Sequence, residues 1–217
     1  MEEEEIDNRL FEKYKLVISA RNFHYENFNK WLTYFYVANA AIFVGFIQIA
    51  TVDSEKISFD KDFASIATLS LGWLAGILLY WSSKGYYYWN INFIMLVNHY
   101  EKDLMKWNEN ERIYSMFANK EEQNNFFSPF SGANFSTSKI AILFAYIIVT
   151  SWGALLLNIL LSQPSSTGIY IYSWLIPIVS IFGAGVFVIG ATWLFGIGKK
   201  HFLWSNTDPL IDLKISQ

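Results

Sequence analysis

Three histidines, His24, His99 and His201, are the side chains whose ordinary pKa lies nearest neutrality, so acid–base chemistry would be built around them. None has the company that such chemistry needs. Arg21 precedes His24 by three residues, short of the four to six that separate Arg from His in HEPN-type ribonucleases, and neither Arg9 nor Arg112 has a His at that spacing. No phosphate-cradling Walker loop, HExxH zinc helix or GxSxG nucleophile elbow occurs. The absence of cysteine removes disulfides, thiolate catalysis and Cys-type zinc sites together. The carboxylates of Glu101, Asp103, Glu109 and Glu111 fall where a helix turns its solvated face to water. The sequence thus predicts no catalytic residue, no metal site and no cofactor. It predicts a protein that is not an enzyme.

The chain has 217 residues and is 53% hydrophobic, 19% aromatic and 16% charged. A soluble domain carries about 25% charge. The missing charge is missing from particular windows: Trp31–Val52, Phe63–Ser83, and a 59-residue stretch between Lys139 and Lys199. The last is broken by the turn-rich string Ser162–Gly168, leaving spans at about 140–161 and 169–195. A helix needs about 20 apolar residues to cross the roughly 30 Å of hydrocarbon. All four windows qualify. The N-terminal run Met1–Glu5 is the opposite of a secretory signal's basic start. Net charge of −3 gives no global basic field, so no direct binding of nucleic acid is expected.

Lysine and arginine set the orientation. Five precede the first span, six lie between the second and third, and three follow the fourth, against two in the first short loop and none in the last. By the positive-inside rule, both termini and the long middle segment are cytoplasmic. Residues 6–30 repeat apolar side chains at helical spacing (Ile6, Leu10, Tyr14, Val17, Tyr25, Phe28), with no Gly or Pro before Gly45. Trp89, Phe93, Leu96, Tyr100, Leu104 and Trp107 do the same after the second span, predicting a helix to about Ala118. The expected fold is all-α: a polytopic membrane protein with four transmembrane helices and a cytoplasmic helical hairpin extending the first two. Its segments are a cytoplasmic helix (1–30), a first transmembrane pair (31–83), a cytoplasmic helix and loop (84–138), a second pair (139–195) and a tail (196–217). In the loop, Ser136 or Ser138 is available to cap the third span, and Phe126, Phe127, Phe130 and Phe135 make an apolar patch.

Inside the spans, small and polar residues carry what specificity there is. Ala41 and Gly45, the Gly72–Gly76 GxxxG string and Gly183 let helix backbones approach, within one chain or between copies. Asn39, Gln48, Thr68 and Asn158 are the polar candidates. Ala41, Gly45 and Gln48 share a face, so Gln48 is placed to reach Asn158 or Thr68 across a close contact. Such a contact is either an interhelical clasp worth about 1 kcal/mol or a polar ring that wets a pore in an oligomer. Asn39 points the other way and is expected at a subunit contact. No span holds Asp, Glu, Lys, Arg or His, which argues against proton-coupled transporters, pumps and voltage sensors. Pro177 is expected to kink the fourth span or mark its outer turn.

In its size, the four windows 31–52, 63–83, 140–161 and 169–195, the helical extension and a Lys/Asn/Phe/Tyr-rich composition, the chain resembles the small four-span accessory proteins of type VI-B CRISPR systems. Those accompany an RNA-guided ribonuclease in bacterial antiviral loci. The resemblance implies membrane association, self-assembly and modulation of antiviral immunity. Two functions follow as expectations. One is a homo-oligomer that permeabilises or perturbs the bilayer. The other is a non-conducting scaffold that tethers a cytoplasmic partner through residues 1–30 and 85–138.

Overall fold

The computed structural model describes residues 2–53, 60–109, 111–113, 136–162 and 175–197. They form four α-helices: α1 (Glu2–Thr51), α2 (Lys61–His99), α3 (Thr137–Ser162) and α4 (Ile176–Ile197). There is no strand among them, and all four helices are long and apolar enough to cross a membrane. The chain is therefore an all-helical, four-span membrane protein.

Polar residues set the helix starts. Asp60 Oδ1 accepts from the backbone N–H groups of Asp62 and Phe63, at 2.9 and 3.2 Å, and opens α2. Ser136 Oγ accepts from the Lys139 N–H at 3.4 Å and opens α3, as its position in the sequence suggests. Lys61 Nζ donates to the Val52 carbonyl at 2.9 Å, which puts a cation on the last carbonyls of α1 and ties the two ends of the first loop together. Pro177 is the second residue of α4, where its missing N–H costs no helical bond, so it marks the first turn rather than a kink.

Helices α2 and α3 form the central pair. Helix α1 packs along α2 and touches α3, and α4 packs on α3. Leu69, Leu79, Val149, Trp152 and Val188 are the buried centre of this bundle. Helix α1 has 50 residues, about 75 Å at 1.5 Å per residue. That is more than twice the hydrocarbon thickness, so α1 must project well beyond it. Helix α2 continues outward beside it on the same side, and the two form a stalk.

The stalk is shorter on the α2 side than the periodicity predicts. Helix α2 does not run to Ala118; it passes into one π-helical turn, Tyr100–Leu104, and stops. Lys106 then takes a left-handed conformation (φ 54°), and the Met105 and Trp107 N–H groups bond the Tyr100 and Glu101 carbonyls, each at 2.9 Å. This is the usual left-handed helix stop with one extra residue, which the wider π turn supplies. The 126–135 aromatic patch, the 163–168 turn and the 198–217 part of the tail lie outside the described residues.

Candidate functional site

At the stalk end, the C-terminal turn of α2 buries a carboxyl. Glu101 is fully buried; its Oε1 accepts from the Tyr14 hydroxyl at 2.7 Å and from the Ile113 N–H at 3.3 Å. Its other oxygen, Oε2, is buried without a partner. Trp107 returns across the left-handed stop and sets its ring edge-on to Tyr14, 5.3 Å between centroids. Helical spacing alone places Glu101 on a polar face, and the sequence reading missed it. The available signal was Val97, one helical turn earlier and itself buried.

Nearer the span, aromatic side chains join the two stalk helices. Phe28 stacks on Tyr86 at 3.8 Å, and His24 lies 5.3 Å from Tyr86 and 5.6 Å from Phe93. Burial among these rings lowers the His24 pKa below its ordinary value. His99 instead bonds Asp103 within its own helix, at 2.8 Å, so the two histidines sit in separate environments. Among the described residues no three His, Asp or Glu side chains converge as a metal ion would require.

Within the membrane, the polar candidates divide. Asn39 is buried, its Oδ1 accepting from Trp152 Nε1 at 2.9 Å while its Nδ2 donates to the Phe35 carbonyl at 2.8 Å. Within one chain Asn39 thus bonds α1 to α3. Thr68 donates to the Ala64 carbonyl of its own helix. No hydrogen bond joins Gln48 to Thr68 or to Asn158, so the expected clasp is absent within the chain. Gln48 faces outward on α1, Asn158 is half-buried on α3, and neither amide has a partner among the described residues.

The small residues divide in the same way. A Cβ on Gly72 would lie 2.6 Å from the Trp152 ring, and one on Gly76 would lie 2.9 Å from the Val149 Cα. The GxxxG string is thus spent on the α2–α3 contact inside the chain. Gly183 meets only Leu157, at an ordinary 3.6 Å. Gly45 has open space around it, and Ala41 beside it is exposed. On the other flank of α1, Tyr36, Asn39 and Phe43 line an apolar groove of about 510 Å³ against Ile147, Ser151 and Trp152 of α3. One flank of α1 is flat and the other is grooved.

The model of the octameric membrane protein family (8xMP) matches residues 11–162, well over half of the chain. The chain belongs to this family. The matched stretch runs from the stalk through α1, α2 and α3, so it holds Tyr14, Glu101, the Asn39–Trp152 bond and both flanks of α1. No curated protein and no solved structure matches the chain. As a member of the octameric membrane protein family it is a membrane protein of an oligomer-forming group, and its exposed spans are surfaces for lipid and for copies of itself.

Proposed function

We propose that this protein is a non-enzymatic homo-octamer of the bacterial inner membrane. It acts by assembly: eight stalks, projecting into the cytoplasm, hold a protein partner near the bilayer. The observation that carries this reading is how the polar groups of the spans are used. Asn39 bonds Trp152, Trp81 bonds Thr192 at 3.1 Å, and Thr68, Ser83 and Ser151 return their hydroxyls to their own helices. A selective conducting path is built from rings of carbonyl, polar or charged groups, and these span groups are instead paired within the chain. The stalk supports the partner role. Leu16 and Phe23 lie outside the hydrocarbon span yet are 69% and 70% exposed, where water penalises them and a protein surface would not.

A second reading is favoured by one observation. Gln48 is exposed on a small-residue face, and eight copies turned toward a common axis would form a polar constriction in a pore. Reconstitution into dye-loaded liposomes separates the two. The scaffold reading expects vesicles to stay tight while the protein is assembled; release of dye that scales with protein would favour the pore. Either mode is compatible with the antiviral role that the resemblance implies, which phage plaque counts on cells with and without the protein would test.

A further inference from the structure

Two amide side chains, Gln48 and Asn158, sit at hydrocarbon depth with no hydrogen bond among the described residues. Unpaired amides are costly in lipid, where no water takes the place of a partner. They also lie level with one another. Helices α1 and α3 run in parallel, Tyr36 facing Phe144 and Phe43 facing Trp152. Gln48 is five residues beyond Phe43, and Asn158 six beyond Trp152, so both helices carry their amide to the same depth.

Their directions differ. At 100° per residue, Gln48 lies about 130° around α1 from the side that carries Tyr36 and Phe43. Asn158 shares its side of α3 with Ile147 and Ser151, which line the groove. One amide therefore rides on the flat flank of the chain, beside Ala41 and Gly45, and the other borders the grooved flank. A contact from flat flank to grooved flank is head-to-tail, and head-to-tail contacts form a ring when their rotation closes. Rotation about an axis normal to the membrane keeps every residue at its depth, so Gln48 of one copy arrives level with Asn158 of the next. Lipid supplies no hydrophobic drive for helix association; close backbones and amide bonds do.

We infer that the subunit interface seats the Ala41–Gly45–Gln48 flank of α1 in the α1/α3 groove of a second copy, with Gln48 bonded to Asn158 across it. The inference rests on the assembly reading above. It turns the amide pair from a clasp within the chain into one between chains.

The cysteine-free chain permits a direct test. Two differently tagged full-length variants, Gln48→Cys and Asn158→Cys, are co-expressed and treated in native membranes with a short bis-methanethiosulfonate. The expected result is a two-chain product carrying both tags, and little product when either variant is expressed alone. A chain carrying both substitutions should give a ladder rising to eight. The inference is overturned if each single variant bridges to itself as strongly as the mixture, or if the doubly substituted chain bridges only within itself. It is also overturned if nothing bridges while the particle keeps its eightfold mass, in which case lipid fills the groove and assembly uses another face. A monomeric wild-type particle would instead remove the reading on which the inference rests. Gly45→Trp, whose Cβ meets nothing within one chain, should keep its helical circular dichroism and lose the ladder.

Discussion

Tyr14 donates a buried hydrogen bond to Glu101, and the phenylalanine that lacks it leaves the carboxyl with one fewer donor in a dry site. Tyr14→Phe is expected to destabilise the stalk by about 1–3 kcal/mol, read by thermal unfolding in detergent or by faster proteolysis near residues 100–113. In the span, Asn39 and Trp152 form a single bonded pair. A double-mutant cycle of Asn39→Leu and Trp152→Phe should show coupling of roughly 0.6–1.7 kcal/mol, the range for such bonds in membranes. His24 carries a pH dependence. Its pKa in the fold is lowered by burial from the ordinary 6.5. The unfolded chain therefore takes up a proton first as pH falls. The stability tied to a neutral His24 is complete above about 6.5 and is lost as pH drops through that value toward the lowered one. Stability measured across this window should decline toward acid, and His24→Gln should flatten the slope.

Glycines test the helix contacts. Gly76→Val drives a side chain into the Val149 backbone and should cost about the 1–3 kcal/mol typical of overpacking, read by thermal unfolding in detergent. Gly45→Ala places its Cβ in open space and should leave the unfolding of the single chain nearly unchanged while weakening assembly. The contrast shows how much could be read in advance. Span number was legible because hydrocarbon thickness fixes the length of a charge-free window. The stalk hairpin was legible because its apolar stripe continues past each span, with no Gly or Pro before the first and Gly85 alone after the second. The stop of α2 was not, because a π turn and a left-handed Lys106 leave no mark in residue type: lysine is not a residue that favours φ of 54°. Nor did the sequence say which small residues meet within the chain. Gly72 and Gly45 sit in similar four-residue patterns, and only the placement of Trp152 separates them. Trp152 was itself the overlooked partner of Asn39. An indole N–H and an amide, each near the middle of a span, need one another for the same reason.

As a whole, the molecule is a membrane bundle with its polar chemistry turned inward, a stalk with apolar side chains turned outward, and two unlike flanks on α1. Such a shape does its work through contacts, and the family to which the chain belongs is named for octameric assembly. Native mass spectrometry of the full-length protein released from lipid nanodiscs measures that claim directly. Eight copies of the 25.2 kDa chain are predicted, whereas a particle with the mass of one chain at every lipid composition would contradict the account.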